Sequence, residues 1–134
     1  MEIDAETFSK LPQTTLDRVG LVCMSGAVKE APKRRTGVLL STLLEHAGVK
    51  STGNRVRNRM VLLASGSDGY GVTFSFHELF NTPVGEGVLV VRETEGFTLY
   101  SQKDYVTGPR HVRDLSALQV EIVGNPMKTK KGDQ

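Results

Sequence analysis

Few side chains in this sequence of 134 residues could carry metal or covalent chemistry. The single cysteine, Cys23, ends the apolar run Leu21-Val22-Cys23 and precedes a basic stretch, KEAPKRR. A thiolate is a soft metal ligand and a nucleophile, whereas a neutral thiol is a small buried hydrophobe, so residue type leaves three roles open. His46, His77 and His111 are separated by whole elements, cannot be read as a triad, and each reads as a packing or surface residue. Asp68 and Glu78 flank an aromatic segment, but a paired-carboxylate site needs a separation in space that spacing along the chain does not supply. Two basic groups stand in places where an anion could sit. Lys33, Arg34 and Arg35 follow Cys23 by about ten residues and offer guanidinium groups for bidentate phosphate contacts, or form a solvated turn. Arg110, His111 and Arg113 lie together in GPRHVRDL, where Arg113 could instead pair with Asp114 or another surface carboxylate.

The elements that must position these residues fit one domain over residues 1–124, followed by a basic tail, residues 125–134, that reads as disordered. Asp4 to Leu11 predicts a short helix. Arg18 to Cys23 alternates, with Val19, Leu21 and Cys23 on one inward face. Leu40, Leu43, Leu44 and Ala47 follow helical spacing and Gly48 ends that pattern, so a helix is expected over 38–47. Met60 to Ala64 and Tyr70 to Phe76, joined by Ser-Gly-Ser-Asp-Gly, predict a hairpin. FHELF is one helical turn, Gly87 to Val91 an apolar strand, and Leu118, Val120 and Ile122 alternate in a last strand. The fold class is therefore α+β, with a mixed β-sheet and a few short helices.

Composition and motifs exclude several functions. A net charge of +2, with no aromatics interleaved among the basic residues, argues against nucleic acid. No apolar run approaches a membrane span, and one cysteine forms no internal disulfide. The start MEIDAETFSKLPQ has neither the basic beginning nor the apolar core of a secretory signal. As written the chain reads as cytoplasmic, or periplasmic if a leader has been removed. Nucleotide loops, a GxSxG elbow, CxxC and HExxH are all missing from the sequence.

The order of the pieces carries more. FSKLPQTT, LVCMSG, TGVLLSTLLEHAGVK, SGSDGYGVTFSFHEL, VLVVRETEGFTL and GPRHVRDLSALQVEI run in sequence over most of residues 8 to 122. In that arrangement the chain resembles the molybdopterin-binding domain of the sulfite oxidase family, in a short, stand-alone version. The resemblance implies that family's fold and a molybdenum cofactor or a free pterin. It places Cys23 where catalytic members bond molybdenum, a soft sulfur completing the dithiolene shell of a cofactor that carries the redox chemistry. It implies cofactor binding by Ser25, Gly26, Arg34, Arg35, Tyr70, Arg110, His111 and Arg113, with Lys33 in the same cluster and Tyr70 as core or pocket wall. Two functions are open on this reading. One is a small molybdenum-dependent oxidoreductase, or the cofactor-bearing subunit of one, with a redox or regulatory protein partner. The other is a non-catalytic pterin-binding or interaction module that keeps the fold without the metal, favoured by the short segment ahead of Cys23 and the absence of tryptophan.

Overall fold

The computed structural model describes residues 4–51, 53–94 and 96–124. The chain opens with α1 (Ala5–Lys10), capped by the Asp4 side chain, which accepts a hydrogen bond from the Glu6 amide, and closed by the Glu6–Lys10 pair one turn apart. Two long strands follow, β1 (Thr14–Val22) and β2 (Val28–Leu39), joined by a tight turn in which Cys23 and Ala27 share a backbone hydrogen bond. Helix α2 (Leu40–His46) buries Leu40, Leu43 and Leu44. Just beyond it Gly48 adopts φ +85, the left-handed stop that its position predicts. A second helical pair of turns, Val49–Ser51 and α3 (Asn54–Arg57), leads to the hairpin of β3 (Met60–Gly66) and β4 (Gly71–Ser75). Helix α4 (Phe76–Phe80) and a 3-10 turn over Pro83–Gly87 precede β5 (Val88–Glu93), β6 (Gly96–Ser101) and β7 (Leu115–Ile122).

The α+β class holds, but the strands form two sheets, and every pairing among the described residues is antiparallel, where one mixed sheet is expected from sequence. One sheet runs β1-β2-β5-β6 and the other β4-β3-β7. The main core lies where β3, β4 and β7 meet α1, α2, α4 and the inner face of β5, with Phe74, Leu62, Leu99 and Val112 among its buried members. At β5 the four-stranded sheet is buried on both sides. Val88 and Val90 of β5 enter the main core, while Leu89 and Val91 join Val19, Leu21 and Tyr100 in a second cluster. This two-sided burial is why β5 reads as an unbroken apolar run.

Two close approaches shape that sheet. A Cβ on Gly37 would stand 2.1 Å from the Val90 carbonyl oxygen, so only glycine lets β2 lie against β5 there. The free edge of β1 is closed by the loop that follows β6. Gln102 exchanges two hydrogen bonds with the Gly20 backbone (2.9 and 3.0 Å). The Thr107 hydroxyl donates to the Gly20 oxygen (3.1 Å) and accepts from the Val22 amide (2.8 Å), and the Gly108 amide donates to the Val22 oxygen (2.9 Å). The loop thereby takes the place of a strand and removes an exposed edge.

The expected strand at 118–122 begins earlier, at Leu115. A register shift opposite Ser65 and Gly66 inserts one residue in β7, which turns both Leu115 and Leu118 inward despite their odd spacing. Beyond the shift Val120 and Ile122 are about two-fifths exposed. No helix among the described residues is long and apolar enough to cross a membrane. The expected disordered tail lies outside the described residues.

Candidate binding cleft

A cleft of about 450 Å3 opens where β2, the β5–β6 hairpin and the segment before β7 come together. Glu30, Lys33 and Arg35 reach it from β2, Glu93, Thr98 and Tyr100 from the hairpin, and His111, Arg113 and Asp114 from the last segment. Alternation explains the third group. Val112 is fully buried and pairs with Leu99 in an isolated bridge, and its neighbours His111 and Arg113 both line the cleft. Asp114 is held at φ 45, a left-handed conformation that an aspartate tolerates better than most residues, with its carboxylate on the Ser67 hydroxyl and its carbonyl on the Ser67 amide.

Arg35 is the buried charge of the cleft, its side chain 7% exposed. Its guanidinium bonds Glu30, stands 3.9 Å from Glu93 and lies 4.7 Å from the centre of the Tyr100 ring. Its Nε is buried without an acceptor. Tyr100 donates to Glu93 at 2.7 Å and packs its ring against His111, with centroids 5.1 Å apart. Burial and the bond to Glu93 push the Tyr100 hydroxyl above its ordinary pKa. Burial alone would raise the Glu93 carboxyl, but hydrogen bonds from Tyr100 and Thr98 and the charges of Arg35 and Lys33 outweigh it and hold Glu93 below the usual carboxylate value. Burial, reinforced by the Arg113 charge, lowers the His111 pKa. The lining therefore carries three cations and three carboxylates, with a neutral imidazole near pH 7. Lys33 and Arg113 form no ion pair among the described residues, so they are the cations free to meet a ligand.

Three of the residues expected at a cofactor site, Arg35, His111 and Arg113, meet in this cleft. The others lie elsewhere. Lys33, Arg34 and Arg35 are in strand β2 and not in a turn, so alternate side chains point to opposite faces. Arg34 accordingly faces away and pairs with Asp17 at 3.4 Å, both largely exposed. Arg110 is not available to phosphate. Its guanidinium bonds both oxygens of Glu78 (2.8 and 3.1 Å), both oxygens of Asp104 (3.0 and 2.6 Å) and the Thr73 carbonyl, over the Phe74 ring at 4.2 Å. Burial would lower its pKa, but the two carboxylates outweigh that and raise it. Tyr70 is 48% exposed, off the cleft, with its hydroxyl bonded to the Pro109 carbonyl. Ser25 and Gly26 shape the β1–β2 turn, Gly26 at φ +85 and the Ser25 hydroxyl 3.4 Å from the Ala27 amide.

Cys23 is half-buried in that turn, not inside the core with Val19 and Leu21, because β1 ends one residue before it. It does not line the cleft; its turn meets the loop that leads to His111 at Gly108. Gly108 bonds Val22, a Cβ on Gly108 would come 3.7 Å from the Cys23 Cα, and the His111 amide bonds the Gly108 oxygen at 3.1 Å. No three of the His, Cys, Asp and Glu side chains cluster in metal-binding geometry among the described residues. A lone thiol of this kind suits a metal that arrives with its own sulfur ligands, and the free cations of the cleft suit a phosphate. Of the cofactor residues expected from sequence, the cleft lining thus holds Arg35, His111 and Arg113, and the thiol stands outside it.

Glu30, Glu93, Thr98 and Tyr100 are among the lining residues that sequence reasoning missed. The signal was present: VLVVRETEGFTLY is two apolar stretches around a Gly-containing turn, and reading it as a hairpin puts Glu93, Thr98 and Tyr100 on one face. No family model, curated protein or solved structure matches the chain.

Proposed function

We propose that this chain is a pterin-cofactor-binding domain similar to the molybdopterin-binding domain of the sulfite oxidase family. The observation that carries the reading is the meeting of Arg35, His111 and Arg113 from distant segments in one cleft beside the Cys23 turn. On this reading Arg113 and Lys33 hold the phosphate, His111 and Tyr100 supply an aromatic wall, and Cys23 would supply a thiolate ligand from the turn next to the 108–111 loop. When bound, such a cofactor supplies oxygen-atom and electron transfer at its metal. The chain's own part is to bind, orient and shield it. Loading the cofactor in cells that make it, then measuring molybdenum per chain for wild type and Cys23→Ser, tests the metal half of the reading. About one molybdenum per chain, lost in the variant, is the expected result for a redox enzyme.

A second reading, a pterin-binding module without metal, is favoured by one observation: Cys23 sits in the turn and not in the cleft lining. Pterin retained without molybdenum selects it.

A further inference from the structure

We infer that the cleft selects a 2-amino-4-oxopyrimidine ring, the edge common to pterins and guanine, through Glu93, Glu30 and Arg35, with the ligand's phosphate on Lys33 and Arg113. The inference rests on the pterin-binding reading for its location and adds which ring the cleft accepts.

Arg35 stands between two glutamates, so this buried group carries one net negative charge and attracts hydrogen-bond donors in preference to an anion. Both glutamates keep acceptor capacity toward the cleft, their side chains 38% and 36% exposed. Glu30 is engaged through Oε1 by Arg35, and Glu93 accepts from Tyr100 through Oε1 while its Oε2 stands 3.9 Å from Arg35. The Arg35 Nε is a buried donor with no acceptor, on a side chain more than nine-tenths buried that lines the same cleft. The whole presents acceptors beside a donor.

A 2-amino-4-oxopyrimidine is the complement of that pattern. Two adjacent N–H groups point at one carboxylate and the neighbouring carbonyl turns to the guanidinium. Adenine presents an acceptor where guanine has its ring N–H, so it would bring a lone pair against the carboxylate. The His111 ring, packed on Tyr100, offers a face on which such a heterocycle stacks. Lys33 and Arg113, free of ion pairs among the described residues, add two cations to the same lining for the phosphate.

The test is calorimetric titration of the full chain, produced in cells unable to make pterin cofactors, with GMP, guanosine, AMP and neopterin monophosphate. GMP and neopterin monophosphate are expected to bind, with AMP weaker by about tenfold or more, the discrimination of one bidentate base contact. Glu93→Gln should weaken GMP by about tenfold and narrow its advantage over AMP, because the amide offers only one acceptor to two donors. Arg113→Gln should weaken GMP while leaving guanosine unchanged. If thermal melting shows that Glu93→Gln does not fold, Glu30→Gln reports on the same edge. Equal binding of AMP and GMP, no binding of either guanine or pterin ligand, or GMP affinity indifferent to both glutamate variants overturns the inference. Neopterin monophosphate that binds regardless of the glutamates leaves the pterin reading standing and removes this one. GMP that binds while neopterin monophosphate does not removes the pterin reading and overturns selection of the shared edge with it.

Discussion

At the scale of single residues, the two arginines of GPRHVRDL divide their work. Arg113 is left free at the cleft, whereas Arg110 spends its whole guanidinium on Glu78, Asp104 and Thr73 and lies over Phe74. It ties the loop that carries His111 and Arg113 to β4 and α4. Breaking a buried pair costs about 3–5 kcal/mol, and partial exposure here scales that down, so Arg110→Met should destabilise by about 2–3 kcal/mol in urea unfolding. Arg113→Met should change stability by less than about 0.5 kcal/mol, as a surface cation without a partner does. Equal costs for the two would contradict this division. His111 gives a pH prediction. Its folded pKa lies below the 6.5 of the free side chain, so the unfolded chain takes up the proton first as pH falls. Its contribution is constant above about pH 6.5 and is lost progressively below it, down to the folded value. Urea unfolding at pH 7.5 and 5.5 should therefore show a steeper loss for wild type than for His111→Gln. A steeper loss in the variant would reverse the assignment.

At the scale of elements, the cleft depends on how tightly β1, β2 and β5 are drawn together. Gly37→Ala would drive a methyl into the Val90 carbonyl, at a cost of about 3 kcal/mol or more, read from the urea midpoint. Thr107→Val keeps the shape but removes the hydroxyl that bridges Gly20 and Val22, which should cost about 1–3 kcal/mol because it leaves the Val22 amide without that acceptor. A Thr107→Val chain as stable as wild type would mean that the loop does not close the β1 edge. The elements legible in sequence were those with a clear local period. The α2 helix with its Gly48 stop, the β3–β4 hairpin and the FHELF turn all stand where Leu spacing, turn residues and apolar alternation place them. β2 was not legible, because its first seven residues, Val28 to Arg34, include a proline and are mostly exposed. Such a stretch has no apolar period, and it is a strand because β1 pairs with it along nearly its full length. That pairing also decides which basic residue enters the cleft: Arg35 faces in and Arg34 out, a choice fixed by register and invisible in the string KRR.

At the scale of the molecule, two antiparallel sheets share one main core, and the cleft lies outside it, beside a smaller cluster on the four-stranded sheet. The α+β class followed from the mixture of periods, but the division into two sheets depends on long-range pairings such as β2 with β5 and β3 with β7, which no local pattern encodes. The candidate site was legible to the same degree. Arg35, His111 and Arg113 converge, while the carboxylates that balance them come from the β5–β6 hairpin, whose partner is set by tertiary contacts. Pterin released on denaturation of the protein, purified from cells that make the cofactor, tests the central claim most directly. About one pterin per wild-type chain, abolished in a folded Lys33→Glu/Arg113→Glu variant, is the predicted result; folded wild-type protein that releases none, or a variant that retains it fully, would contradict the account.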